Sequence, residues 1–348
     1  MLTVWTVCKD PGGTNGIVPV AKCLRKMGHK VELIPNGKAI ELLPALNEEF
    51  SMFEQALKET PEPEALFTSM CSDGGIGRDL VPLMKRAGVL TVALQDFWGP
   101  RLRFEWADPK FRPDFICVND KVGADLVMRA WPDYDGNQVA ITGFPAMDKY
   151  SDFDVETAAN QVRTTLGLDR WRPIVSFGGQ LEGVGDVITE VIEVLNELKL
   201  DIYFLPRPHP RMKNNAPDEI PKWEKALAGF RGGVLIDSSA CSTSSVTASS
   251  SLVISAYSTI NVEAACLRKD VISVLYPEVG MYWLRLELPD LEDFPLVQLG
   301  CSAKAANRAE LKRLIERALT SGLDLRETQE RVFRLDGKNA RRVADLVG

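Results

Sequence analysis

Histidine is nearly absent from this chain: His29 and His209 are the only two in 348 residues. Far apart in sequence, they cannot form a His/Cys cluster with metal-ligand spacing, so no metal site is expected. The seven cysteines (Cys8, Cys23, Cys71, Cys117, Cys241, Cys266 and Cys301) include no CxxC pair. Their odd number, and the apolar runs around several of them, predict reduced thiols in a cytoplasmic protein. No run reaches the roughly 18 consecutive apolar residues that a membrane-spanning helix needs. The opening "MLTVWTVCKD" has neither the basic start nor the long apolar stretch of a secretory signal. Excess positive charge is missing too. Lys and Arg number 41 against 48 Asp and Glu, a net charge of −7, which argues against a general nucleic-acid binder. Any anion site must be local.

Several motifs are also missing. "DPGGTNG" is not GxGxxG, which argues against a nicotinamide dehydrogenase. "GGIGRD" is not followed by the Gly-Lys-Ser/Thr of a P-loop, and no GxSxG marks a hydrolase.

What is present is rhythm. "LTVWTVC" (2–8), "KVELI" (30–34), "EALFTSMC" (64–71), "VLTVALQD" (89–96), "PDFICVN" (113–119) and "QVAITG" read as strands. Helical segments such as "IVPVAKCLRKMG" (17–28) alternate with them. After a polar stretch around 144–160 the pattern restarts with "RPIVSFGG" (172–179) and the helix "VGDVITEVIEVLNELK" (184–199). In that helix Ile188, Val191, Ile192, Leu195 and Leu198 recur at helical spacing. Strands alternating with helices predict an α/β protein built of parallel sheets with helices on both faces. The length predicts two such doubly wound domains in tandem, 1–150 and 151–325, with a helical tail over 326–348. The Ser-rich stretch "SSACSTSSVTASSS" (238–251) reads as a loop and a short helix start.

In open parallel sheets, ligands bind beyond the carboxyl ends of the strands. In the first domain those ends are "CKDPGGTNG", "CSDGGIGR" and "QDFWGPR", which present Asp10, Asp73 and Asp96. Each alone suits a helix N-cap or a turn. Three on one rim suit a general base and acceptors for substrate hydroxyls. Gly12 and Gly13 let the backbone approach a ligand closely. In "QDFWGPRLRFEW", the aromatics Phe97, Trp98, Phe104 and Trp106 with Arg101 and Arg103 suggest an acceptor wall, or an anchored loop.

The second domain gives a more specific pattern. Gly178, Gly179 and Gln180 end a strand before a helix, where backbone N–H groups suit a phosphate. "FLPRPHPR" ends another strand with Arg207 and His209, a guanidinium fork and an imidazole donor held by prolines. "ISAYSTINVEAA" puts Ser258 and Thr259 at a helix start with Glu263 one turn in. Hydroxyls there suit a phosphate, and the carboxylate suits ribose hydroxyls.

"RPHPR" followed by "SLVISAYSTINVEAACLRKDVISVLYPE" resembles the nucleotide-binding half of GT-B glycosyltransferases. The nearest group is that of the UDP-N-acetylglucosamine 2-epimerases and CDP-glycerol glycerophosphotransferases. "DPGGTNGIVPVAKCLRKMGHKVELI" is similar to the opening of a GT-B acceptor domain, and "ITGFPAMDKY" to the stretch leading into its linker. The resemblance implies two Rossmann-like domains facing each other across a cleft, with the last helix crossing back to the first. It implies a UDP- or CDP-linked sugar donor, with Gly179, Gln180, Arg207 and His209 near its phosphates. Ser258 and Thr259 would hold the pyrophosphate and Glu263 the ribose. No cofactor or metal is implied, and an oligomer is compatible. The first domain would take a small-molecule, glycan or lipid-linked acceptor, with Asp10 the first choice of base and Asp96 the second. "GGQLEGV" replaces the His-Arg-Glu-Asn run of the epimerases. Four readings follow: a glycosyltransferase, an isomerase on the same fold, a protein that binds nucleotide sugars without chemistry, or a phosphotransfer enzyme handling CDP-alcohols.

Overall fold

A computed structural model describes the chain except residues 72, 73, 100, 101, 103, 288 and 290. It divides into two compact units, Met1–Ser151 with Arg334–Gly348, and Asp152–Phe333. Among the described residues, each unit is built on one six-stranded sheet.

In the first unit the strands are β1 (Thr3–Cys8), β2 (Lys30–Pro35), β3 (Ala65–Ser69), β4 (Leu90–Leu94), β5 (Phe115–Val118) and β6 (Val139–Ile141). They lie in the order β2-β1-β3-β4-β5-β6, and the ladders between them are parallel. β3 is buried along its whole length, as expected for a strand covered on both faces. The chain moves from β1 outward to β2, then returns to the other side of β1. The strand order therefore reverses between β1 and β3.

The second unit repeats the plan with β7 (Ile174–Gly178), β8 (Tyr203–Arg207), β9 (Val234–Leu235), β10 (Leu252–Ser255), β11 (Asp270–Val274) and β12 (Ala303–Ala305). Their order is β12-β11-β10-β7-β8-β9, again parallel. The reversal falls between β7 and β10. The expected helix over 184–199 forms as Val184–Leu198, with Val187, Ile188, Val191, Ile192 and Leu195 buried on one face.

One helix starts earlier than its pattern predicts. Pro11–Lys26 begins inside the presumed turn "KDPGGTNG". Asp10 caps it by accepting from the Gly13 N–H at 2.8 Å, and Pro11 sits in the first turn, where its missing N–H costs nothing. The glycines that read as a turn are there for close packing.

The chain returns to the first unit at Arg334 rather than at 326, since helix Arg326–Val332 belongs to the second unit. The last helix, Asn339–Val347, buries Ala340, Val343, Ala344 and Val347 in the same apolar cluster as Ile17, Val20 and Leu24. Asp148 fixes its start. One carboxylate oxygen accepts from the Asn339 N–H (3.1 Å) and the other from the Ala340 N–H (2.7 Å). Burial still holds this carboxyl above the usual range despite those bonds. Asp148→Ala should lower stability by about 1–3 kcal/mol, the scale of a lost cap and two orphaned N–H groups. Limited proteolysis should then cut the tail after 334 first. Wild-type resistance there would show that apolar packing alone holds the helix.

Candidate functional site

The first unit gathers polar side chains where its strand order reverses, the expected position for a ligand. β1 delivers Asp10 and β4 delivers Asp96. The two carboxylates converge on Gly12. A Cβ placed there would lie 2.5 Å from Asp96 Oδ2 and 3.9 Å from Asp10 Oδ1. At Gly13 a Cβ would meet Ser69 Oγ, at the end of β3, at 2.2 Å. Glycine at both positions leaves room for the Asp96 and Ser69 side chains where the helix start approaches the rim. Asp10 Oδ1 is spent on its cap, while its buried Oδ2 has no hydrogen-bond partner among the described residues. Cys71 lies in the same cluster. Burial, with Asp10 and Asp96 adding to it, pushes its thiol up to about 12, so it is no nucleophile near neutral pH.

Asp73 and the two arginines of the aromatic loop, Arg101 and Arg103, lie outside the described residues. Trp98 is placed differently from the acceptor-wall expectation. It is fully buried, its indole N–H donates to Asp120 at 2.9 Å, and its ring packs edge-on against Phe144. It anchors the loop that carries Asp96 and has no face to offer a sugar. Trp106 is fully buried too, and only Phe104 of these aromatics is largely exposed. Asp120 caps helix Lys121–Ala130 through Gly123, and burial raises its carboxyl above the usual range.

In the second unit the ends of β7 and β10 are joined directly. Ser255 Oγ donates to the Gly178 carbonyl at 2.6 Å. A Cβ on Gly178 would lie 2.2 Å from Ile260 Cγ2, so the first turn of helix Thr259–Cys266 rests on β7. Only glycine permits that approach. Ser258 is the N-cap of this helix, Thr259 is exposed at its start, and Glu263 is half-buried one turn on. Gly179 donates to the Arg207 carbonyl at 2.9 Å, and its Cβ position is 3.2 Å from the His209 backbone nitrogen. The structure therefore brings Gly178, Gly179, His209 and the Ser258 cap to one rim.

His209 Nδ1 accepts from the Arg211 N–H at 3.1 Å. The neutral ring must then carry its proton on Nε2, which becomes a donor. Gln180 is buried, and neither amide atom has a hydrogen-bond partner among the described residues. Arg207 is placed otherwise than expected for a phosphate fork. Its guanidinium donates to the Ser238 carbonyl and hydroxyl (2.8 and 3.1 Å) and to Thr243 Oγ1 (3.3 Å). It ties the Ser-rich stretch to the rim.

Sequence reasoning missed two neighbours. Glu219 reaches from another helix to accept from the Gly185 N–H at 2.7 Å. That puts an internal carboxylate at the start of helix Val184–Leu198, where a phosphate was expected. The Trp283 indole lies against Gly183, 2.0 Å from its Cβ position. No local signal marks either residue, because both arrive from distant segments. Among the described residues no group of three or more His, Cys, Asp or Glu is placed to hold a metal ion. Nor is any helix long and apolar enough to cross a membrane.

No protein-family model matches the sequence, and no curated protein matches it. Solved structures do. UDP-GlcNAc 2-epimerase from Neisseria meningitidis, bound to UDP-GlcNAc, superposes with a TM-score of 0.70 at 10% identity, covering 99% of both chains. A glycosyltransferase from Rickettsia africae gives 0.69 at 12% identity, covering 99% of this chain and 97% of its own. The wall teichoic acid polymerase TagF gives 0.59 at 15% identity, covering 99% and 87%. The chain has the GT-B fold, as the sequence resemblance implied.

Proposed function

We propose that this protein is a nucleotide-sugar enzyme that transfers a sugar to a hydroxyl acceptor without a metal or other cofactor. The observation that carries the reading is in the second unit. A Ser-capped helix start is packed against Gly178 at the strand-order reversal, with the orphaned amide of Gln180 at the end of the same strand. Helix N-termini favour phosphate through their unpaired N–H groups and dipole. Of the two helix starts that follow the strands at the reversal, β7 and β10, Val184–Leu198 already holds the Glu219 carboxylate. The diphosphate therefore goes to Ser258 and Thr259, with Glu263 for the ribose and His209 Nε2–H as a further donor. As the glycosidic bond breaks, charge grows on the leaving phosphate, and donors fixed beforehand lower that barrier. In the first unit we take Asp96, whose carboxylate faces Gly12, as the base, with Asp10, one oxygen of which caps the helix, as the alternative.

A second reading, an isomerase acting on the nucleotide sugar alone, is favoured by the convergence of two carboxylates on Gly12. Such a pair can supply one base and one acid. Turnover of donor without acceptor separates the two.

The test is a metal-free calorimetric titration with UDP, CDP, GDP, ADP and NAD. One nucleoside diphosphate should bind selectively. Ser258→Ala and His209→Ala should each weaken it about 10-fold or more, the worth of one charge-assisted hydrogen bond. Binding of none of them would remove the donor-site assignment.

A further inference from the structure

We infer that Asn119 holds a substrate hydroxyl beside Asp96, and hence that the group bound on the first unit is a neutral alcohol of a sugar or polyol. The inference rests on the nucleotide-sugar reading above. β4 and β5 run in register with Leu94 opposite Cys117, and the ladder continues as Gln95 N donates to the Cys117 carbonyl at 2.9 Å. Counted on from that register, Asp96 and Asn119 fall at matched positions just past the ends of β4 and β5. Side chains alternate between faces along a strand. Leu94 meets Gly16, and Asp96 meets Gly12, both in helix Pro11–Lys26. Val118, the last residue of β5, instead meets Gly123 on the opposite face, so continued alternation would bring Asn119 to the side of Asp96.

Asn119 is only 6% exposed, and its Nδ2 has no hydrogen-bond partner among the described residues. On the same side of the rim, Asp10 Oδ2 is also buried without a partner. Natural proteins rarely leave such atoms unmatched, and those that remain call for a partner such as a bound group or an ordered water. The chemistry of the two sides selects that group. An ionised carboxylate only accepts hydrogen bonds, and an amide nitrogen only donates them. What bridges them must donate and accept through one atom, which a hydroxyl does. An ammonium has no lone pair for the Asn119 N–H, and a phosphate dianion has no proton to give a carboxylate. Asn119 is thus a specificity-determining residue that orients the hydroxyl whose proton Asp96 takes.

The experiment uses the full chain labelled with ¹⁵N-asparagine, with UDP and CDP present, and follows the Asn119 side-chain amide by NMR. The probes are glycerol, glucose, N-acetylglucosamine and glycerol 3-phosphate. At least one neutral probe should shift the Asn119 resonance, and glycerol 3-phosphate should not bind through its phosphate end. Asn119→Leu should lose that probe at least 10-fold while melting no lower than wild type and binding nucleotide unchanged. Asn119→Asp, nearly isosteric, should lose it as well and keeps the test alive if the leucine variant misfolds. A resonance indifferent to every neutral probe would overturn the inference and leave Nδ2 to an ordered water. So would variants that bind the probe as wild type does, or that lose stability alone. Failure of the nucleotides to bind the wild type would instead overturn the underlying reading.

Discussion

Gly12→Ala should leave the fold standing and lower turnover by about 100-fold. The new methyl would sit 2.5 Å from Asp96 Oδ2, far inside contact distance. What it meets is the end of a side chain, so the carboxylate swings away while the helix stays in place. Alanine favours a helix over glycine by about 1 kcal/mol, which offsets much of the strain. The melting temperature should therefore move little. The Asp96 carboxylate moves by about 1 Å, and for the proposed base a displacement of that size costs on the order of 100-fold. Nucleotide binding, assigned above to the second unit, should be unchanged. The control is Gly13→Ala. Its methyl would meet Ser69 Oγ at 2.2 Å and Ser69 Cβ at 2.8 Å, so strand and helix must part and stability should fall. Wild-type turnover in Gly12→Ala, with Asp96 displaced, would remove Asp96 from the chemistry.

The two glycines also show why the fold was more legible than the site. Buried parallel strands are continuous apolar runs, so β1, β3, β4, β7 and β10 stand out in the sequence, and the helices between them follow from their periodicity. Function at the rim breaks local rules. "DPGGTNG" has the composition of a turn, yet it opens a helix, because its glycines answer to Asp96 and Ser69 from other strands. Strand position alone put Asp10 and Asp96 on one rim, and the convergence on Gly12 follows from that topology. Side-chain direction was not legible. Arg207 stands where expected along the chain but turns to Ser238 and Thr243. Trp98 turns inward to Asp120. Glu219 and Trp283 come from segments whose patterns concern only their own helices.

Gln180 separates a structural role from a binding one. A buried primary amide with both atoms unmatched costs stability, on the order of 1–3 kcal/mol for each unsatisfied group, and it is kept only where something offsets that cost. Gln180→Leu preserves much of the volume and removes the unmatched polar atoms. In the free protein it should raise stability by about 1–2 kcal/mol. If the amide exists to meet the nucleotide diphosphate, the same change deletes the hydrogen bonds that its Nε2–H groups give the phosphates and weakens binding by about 100-fold, or roughly 3 kcal/mol. Thermal unfolding with and without the nucleoside diphosphate reads both effects in one experiment. The variant should melt higher than wild type alone and gain far less from ligand, since stabilisation by a ligand falls with its affinity. A structural glutamine held by an ordered water predicts the reverse, a lower melting point and an undiminished ligand shift. That pattern would take Gln180 out of the site and leave the Ser258 helix start and His209 to hold the phosphates alone.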